Sequence, residues 1–566
     1  MNINHVSAPL DEIKSELVVF PSRNGLKVTA YLDSLQGQRE PLGYVVMTPK
    51  YGETKKNNLQ LAYYLAANGL AVLRFDHTNH VGESEGEMRM YTLPGAVQDI
   101  VGAFDYLEQQ RGVERAGLVA SSLSGRMAIR AASVDSRVSH LICLVGVVNV
   151  QSTLTIVYQE DVVANFQKGK RWGVNDVLGF EINFENFLGA LVEDDLHSLD
   201  GTCNDLAKIS SPVCLLAAQN DAWVSIQDVK HAIGFAQSGE FFPIKDSMHE
   251  VRENPESAEK TFRHLISLCV SQFRGHEVAF GEIVIPPRKS FINQNKIERE
   301  RLRKANPIQQ NEVEFWSQYL SKYEFFESVD VYQYYINLVG SLLGEFKSGE
   351  LVLDAGCGNG LFGVWAIRDL LGKTTQKFES PVLYTGLDLT HGGLLDGMGK
   401  HSSMAHKLAK NKEDVINFIY GVMDLDMFGA SVGPDGSALV RFADNTFDKI
   451  CCSLLISYLK RPSELVENLY HALRPGGVLV LSSMKPFCDL SEIYRRYAEN
   501  NTEAKDIESA RNLLQAAGKI KVKEEQGVYA FFSTEELSEM LVKAGFKSVK
   551  TFSSFGNQAN VVRAEK

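Results

Sequence analysis

Leu351-Val-Leu-Asp-Ala-Gly-Cys-Gly-Asn-Gly360 is an apolar run that ends in three spaced glycines and passes into a helical pattern, Leu361 to Leu371. A strand stopping at glycines lets the backbone approach a ligand closely, and the helix that follows offers free N–H groups at its start. Glycines alone do not choose the ligand, because Gly358-Asn-Gly-Leu-Phe-Gly363 also satisfies the G-x-G-x-x-G dinucleotide pattern. Three acids separate the two readings. Asp354 stands just before the glycines, where its carboxylate repels a pyrophosphate but can hold an amino-acid ammonium. The next strand, Leu383-Tyr-Thr-Gly-Leu-Asp388, ends in a carboxylate able to accept both hydroxyls of a ribose. It falls 28 residues beyond Gly360, against about 20 in dinucleotide folds. The strand after that ends in Met423-Asp424 and puts a third acid near the place of an adenine amino group.

The strand–helix alternation continues through Ile416–Gly421, Lys449–Ser453 and Val478–Ser482 to a last helix at Thr534–Ala544 and closing strands. In content and order these pieces resemble the class I S-adenosyl-L-methionine-dependent methyltransferases, which have a Rossmann-like fold. The resemblance covers about 230 residues. It includes Thr446-Phe-Asp-Lys-Ile450, Leu473-Arg-Pro-Gly-Gly-Val-Leu-Val480, Phe532-Ser-Thr-Glu-Glu-Leu537 and Ala544-Gly-Phe546. It implies that Gly356, Gly358 and Gly360 line the cofactor, with Asp354 on its amino-acid end, that Asp388 binds ribose and that Asp424 contacts adenine. Methyl transfer from a sulfonium is an in-line displacement on an activated carbon, so positioning and desolvation can carry it without an acid or base. His391, His401 and Tyr458 could bound the acceptor pocket, but surface or packing roles are the favoured reading for each.

Upstream, from Glu16 to about Phe273, short Val-, Leu- and Ile-rich runs alternate with helical patterns, which implies a mostly parallel sheet wrapped by helices. Between Val148 and Pro212 the strand rhythm stops, and an aromatic-sprinkled, helix-compatible insertion of about 148–212 reads as a lid. In Gly117-Leu-Val-Ala-Ser-Ser-Leu-Ser-Gly-Arg126 an apolar strand breaks sharply into a helix. The pattern centres on Ser122 with small flanks at Ala120 and Ser124, as a nucleophile elbow requires, although glycine is the commoner flank. The acid and the base should follow in that order after later strands. Asp221 comes after Leu215–Ala218 and His249 after Pro243-Ile244, with Asp246 as the rival acid. His249 would take the serine proton while Asp221 fixes its tautomer. Oxyanion donors would come from the Leu123 N–H and from the loop after Met47, around Lys50 and Tyr51.

With Ser122, Asp221 and His249 placed, this half resembles an α/β-hydrolase, and specifically the acyl-carrier-protein thioesterases or acyl transferases of bacterial bioluminescence operons. The matching pieces are Leu73-Arg-Phe-Asp-His-Thr-Asn-His-Val-Gly82, Ala120–Arg126, Asn220-Asp-Ala-Trp-Val224 and Ser247-Met-His249. The resemblance implies a long-chain acyl thioester substrate, free or on an acyl carrier protein, and a covalent acyl-Ser122 intermediate. The loop Thr48-Pro-Lys-Tyr-Gly52 departs from the small and aromatic residues expected there.

A chain of 566 residues, 44% hydrophobic and 23% charged, is too long for one core. The expected organisation is a hydrolase domain at 1–275, a linker at 276–310 marked by Pro286-Pro287 and the charged stretch Lys296–Lys304, and a methyltransferase domain at 311–566. A net charge of -12 argues against nucleic-acid binding. Met1–Leu10 shows no secretory pattern and no run is long enough to span a bilayer, so a cytoplasmic protein without membrane insertion is expected. Eight scattered cysteines with no C-x-x-C pair indicate neither a metal site nor disulfides. Joined, the halves suggest a bifunctional enzyme that frees an acyl group and methylates its carboxylate to a methyl ester. Two alternatives stay open: methylation of a hydroxyl, enol or carbon on an acyl or polyketide intermediate, or one inactive domain serving as a docking scaffold.

Overall fold

Residues 116–121, AGLVAS, are buried throughout, which is what a strand flanked by parallel neighbours and covered on both faces demands. In the computed structural model, which describes residues 13–38, 40–286, 312–320, 329–373, 378–408, 415–427, 443–500 and 504–566, this run is the fifth strand of an eight-stranded sheet. Its members are β1 (Ile13–Pro21), β2 (Lys27–Leu35), β3 (Tyr44–Met47), β4 (Ala71–Phe75), β5 (Ala116–Ser121) and β6 (Val138–Leu144). After a two-stranded interlude, β7 (Val174–Val177) and β8 (Phe180–Asn183), come β9 (Val213–Ala218) and β10 (Gly239–Ile244). The order is β1-β2-β4-β3-β5-β6-β9-β10. β2 runs antiparallel to β1 and β4, and the ladders from β3 to β10 are parallel. This is the α/β-hydrolase arrangement. Its carboxyl edge collects the loops that follow β3, β5, β9 and β10.

The insertion between β6 and β9 holds helices, as its composition suggests, but also the β7–β8 hairpin, whose strands pair antiparallel. Val-Asn-Asp-Val-Leu-Gly-Phe-Glu-Ile-Asn alternates around Leu178-Gly179, where both residues take positive φ (52° and 95°). That left-handed pair is a hairpin turn. Four-residue strands are too short for their alternation to stand out from a helical background.

The second sheet comprises β11 (Leu351–Ala355), β12 (Val382–Asp388), β13 (Ile416–Val422), β14 (Phe447–Cys452), β15 (Leu473–Met484), β16 (Lys547–Ser554) and β17 (Ala559–Glu565). Its order is β13-β12-β11-β14-β15-β17-β16, with β17 antiparallel to both neighbours. The order reverses between β11 and β14, and ligands of such sheets bind outside the carboxyl ends at that switch point.

The chain divides into two compact units, Met1–Ala305 with Asp489–Gly527, and Asn306–Cys488 with Val528–Lys566. This departs from a methyltransferase domain unbroken over 311–566: residues 489–527 pack with the first unit. The stretch Lys296–Lys304 lies outside the described residues. Among the described residues, no helix is long and apolar enough to cross a membrane.

Candidate active sites

β5 ends at Ser121 and a helix begins at Leu123, so Ser122 must turn the chain in one residue. It does so at φ 56°, ψ -131°, a left-handed conformation that costs a non-glycine residue about 1–3 kcal/mol and persists only where the surroundings impose it. The imposing contact is close. A Cβ on Gly125 would lie 2.7 Å from Gly146 Cα, so the helix can start hard against the loop after β6 only because position 125 is bare.

Ser122 Oγ lies 2.7 Å from His249 Nε2, and His249 Nδ1 lies 2.8 Å from Asp221 Oδ2. A serine hydroxyl that donates to Nε2 leaves the Nδ1–H to donate to the acid. Asp221 is itself fixed, because its Oδ1 accepts the N–H groups of Trp223 and Val224 at 2.8 and 3.0 Å. Asp246, the rival acid, is exposed; its backbone carbonyl accepts from Asn254 Nδ2 at 2.7 Å.

The loop after β3 is tied to the nucleophile's helix, since Ser124 Oγ donates to the Pro49 carbonyl. Leu123 is the first residue of that helix, where a backbone N–H has no partner within the helix. Tyr51 occupies the loop as expected, and its phenol donates to the Val177 carbonyl at 3.2 Å, so any oxyanion contact from it would be made by the backbone. Beside it the Gly52 N–H donates to His80 Nε2 at 3.0 Å. Burial, helped by nearby His77, pushes the His80 pKa down to about 3. His80 is therefore a neutral acceptor at physiological pH, and the loop keeps its shape.

In the second unit the carboxyl edge of β11 and β12 opens on a cavity of about 370 Å3. Gly356, Gly358 and Gly360 take φ of 79°, 53° and 82°, all in the region that side chains avoid. A Cβ on Gly360 would come within 2.7 Å of His401 Nε2 and 2.8 Å of Gly397 Cα. Gly360→Ala is accordingly expected to lower stability by roughly 1–3 kcal/mol, read as a shift in denaturation midpoint. Asp388 braces the same loop: its Oδ2 accepts the Gly358 N–H at 2.9 Å, and its Oδ1 accepts the Thr390 N–H and hydroxyl.

Asp354 is buried at the end of β11. Tyr384 Oη donates to its Oδ2 at 2.5 Å, while Oδ1 is buried without a hydrogen-bond partner. Burial pushes its pKa up to about 7, despite the tyrosine bond and with a little help from Asp388. An orphaned carboxylate oxygen lining a cavity asks for a cationic donor. Asp424 also lines the cavity but is exposed, with Oδ1 accepting the Asp426 N–H at 3.0 Å.

The sequence reading missed most of the aromatic wall of this cavity, formed by Trp316, Tyr319, Tyr458 and Tyr529. Trp316 and Tyr458 have centroids 4.6 Å apart, and Tyr458 and Tyr529 5.2 Å. Of these only Tyr458 follows a strand of the sheet directly; Trp316 and Tyr319 precede the first strand and Tyr529 lies beyond the last parallel one, so no local pattern ties them to the glycines. His391 is exposed and outside the lining. His401 is buried against Tyr420 Oη and the Gly360 carbonyl, at 2.7 and 2.6 Å, and props the glycine loop.

Fold and sites together define an acyl transferase or hydrolase of α/β-hydrolase architecture joined to a methyltransferase. The acyl transferase family profile matches residues 45–275 and a methyltransferase domain profile matches residues 328–551. An acyl transferase of Photobacterium leiognathi is 30% identical over 280 residues, which cover 44% of this chain and 87% of that protein. One of Vibrio harveyi is 31% identical over 196 residues, covering 34% of this chain and 63% of its own. The chain belongs to the acyl transferase family, with a methyltransferase domain following. Among solved structures, Est1E from Butyrivibrio proteoclasticus with ferulic acid bound is similar at 15% identity, covering 45% of this chain and 99% of that one, with a TM-score of 0.39.

Proposed function

We propose that the first unit transfers the acyl group of a carrier-protein thioester to Ser122, and that the second methylates the acyl-derived carboxylate to a methyl ester. The observation that carries the first half is the unbroken hydrogen-bonded chain from Ser122 through His249 to Asp221 at a strained elbow. In this reading Ser122 Oγ attacks the thioester carbonyl while His249 Nε2 takes its proton, and Asp221 stabilises the imidazolium. The Leu123 N–H and a backbone N–H near Tyr51 receive the developing oxyanion. His249 returns the proton to the departing thiolate. Water, deprotonated by the same histidine, then releases a carboxylic acid and restores Ser122.

In the second unit S-adenosyl-L-methionine, when bound, supplies an electrophilic methyl group on a sulfonium. Asp354 Oδ1 fits its ammonium, the loop Gly356–Gly360 lets it approach the backbone, Asp388 suits its ribose and Asp424 its adenine. The Trp316, Tyr458 and Tyr529 wall excludes water and favours a cation through its ring faces. A carboxylate acceptor needs no general base. That agrees with a cavity which no histidine lines among the described residues.

The test is to give the purified protein an acyl-carrier-protein thioester and methyl-labelled donor. Labelled methyl ester is the expected product. Free acid with no labelled product would sink the coupling, and label on a hydroxyl or carbon of the chain, located by mass fragmentation, would move the acceptor.

A further inference from the structure

Residues 489–527 lie in sequence between β15 and the helix Thr534–Ala544, yet they pack as part of the first unit. They form two helices, Ser491–Asn500 and Ala504–Glu525. Three of their side chains reach the three loops that carry the Ser122 chemistry, each within two residues of a site residue. Asp489, buried, accepts the N–H of Glu250 at 2.9 Å through Oδ2, and Glu250 directly follows His249. Tyr494, fully buried, sets its ring 5.9 Å from that of Trp223, whose own N–H is bonded to Asp221; its hydroxyl donates to the Val157 carbonyl at 3.1 Å. Lys521 Nζ lies 3.0 Å from Glu53 Oε1, two residues beyond Tyr51.

The last contact belongs to a buried network. Arg252 bridges Glu53 and Glu250 at 2.9 and 2.6 Å, and Lys50 pairs with Glu250 at 2.7 Å. Burial alone would raise the Glu53 pKa, but Lys521, then Arg252 and Lys50, hold it down to about 2. Without Lys521 the remaining set keeps two cations for two buried anions, but Glu53 loses its largest opposing charge. An exposed ion pair contributes little to position; one anchored on a fully buried carboxylate does more. The helical pair is also seated at backbone level, since a Cβ on Gly518 would run into the Leu178 carbonyl at the β7–β8 turn.

We propose that residues 489–527 are a positioning element of the acyl site, in which Asp489 fixes the histidine loop, Tyr494 the acid loop and Lys521 the oxyanion loop. The inference rests on the catalytic reading of Ser122, His249 and Asp221. The acyl transferase profile ends at residue 275, so this element lies outside what that similarity assigns. A thioesterase site in this chain is thus completed by a segment that the sequence places inside the methyltransferase.

The experiment uses the full chain and a fluorophosphonate probe, whose phosphorus bonds to Ser122 Oγ as fluoride leaves and the serine proton passes to His249. Labelling rates and the pH profile of kcat/KM for a short acyl thioester are measured for the unaltered protein and for Asp489→Ala, Asp489→Asn, Lys521→Met, Lys521→Arg and Ser122→Ala. Asp489→Ala and Lys521→Met are expected to slow labelling about tenfold to a hundredfold, the scale of a misplaced catalytic group, and to lower kcat with KM within about twofold. Lys521→Arg keeps the charge and is expected to restore the rate; Asp489→Asn keeps one acceptor oxygen where the carboxylate serves two N–H groups, those of Glu250 and Ser491, and is expected to restore it in part. The Lys521 side chain is 38% exposed, which lets that pair of variants fold if the Asp489 pair does not. Unchanged labelling in Lys521→Met, a loss there that Arg fails to restore, or labelling in Asp489→Asn no faster than in Asp489→Ala overturns the proposal. Labelling that survives in Ser122→Ala overturns the serine reading instead, so the two failures are distinguishable.

Discussion

Ser122→Ala is expected to abolish thioester cleavage, lowering kcat by on the order of 10^5- to 10^6-fold, because a nucleophile and its base act as a unit and the residual rate comes from binding and the oxyanion donors alone. The expectation follows from geometry. His249 Nε2 stands 2.7 Å from Ser122 Oγ, and Asp221 is held toward Nδ1 by two backbone N–H groups on its other oxygen. The variant should fold as the parent does. Alanine inherits the same strained φ of 56° and loses one hydrogen bond to a histidine that Asp221 still orients. Intact-mass measurement after mixing with an acyl thioester gives the direct check: an acyl adduct on the parent chain and none on Ser122→Ala. Methyl-donor binding should be unaltered in the variant. Cleavage at an undiminished rate would remove Ser122 from the chemistry.

Much of this site was legible from the chain because its parts sit at strand ends. A run such as Gly117–Ser121 followed by small residues and a helical pattern has few folds open to it, and ordered strand ends at Ala218 and Ile244 then leave Asp221 and His249 on the same edge. The glycine loop and Asp388 were legible for the same reason. What escaped was long-range. The aromatic wall joins Trp316, Tyr458 and Tyr529, more than 200 residues apart at the extremes, and no local pattern links them. Tyr384, which bonds Asp354, reads in sequence as an ordinary strand residue. Asp424 was assigned by its place after β13, and the structure puts it at the cavity with one oxygen engaged by a backbone N–H.

Residues 489–527 were the least legible. Their helical pattern fits a helix of the domain whose sequence surrounds them, and nothing local shows which core a helix faces when both candidates are α/β sheets. Only the fold reveals that Tyr494 is buried against Val157 and Trp223. Sequence contiguity was the rule that failed, and it failed at an insertion, where a chain can leave one core and return to it at little cost in loop entropy.

Asp354→Asn is expected to weaken S-adenosyl-L-methionine binding by about tenfold to a hundredfold at pH 8, the worth of one charge-assisted hydrogen bond, and to erase a pH dependence that the parent should show. The sign follows from the carboxyl's position. Burial raises its pKa from the usual carboxylate range to about 7, so below pH 7 the ligand-free site is mostly protonated and must lose a proton before it can pair with an ammonium. Affinity should therefore rise by up to tenfold per pH unit as pH climbs toward 7 and level off above it. The same shift acts on folding. The folded chain holds this proton more tightly than the unfolded one, so the group is neutral toward stability below about pH 4 and destabilises progressively as pH rises to about 7. A bound ammonium offsets that loss by giving the bare oxygen its partner. The donor should then raise the melting temperature more at pH 8 than at pH 6, and in Asp354→Asn by the same small amount at both. Calorimetric titrations at pH 6, 7 and 8 decide the matter: an affinity flat across that range in the parent chain would mean that Oδ1 of Asp354 does not face the ammonium.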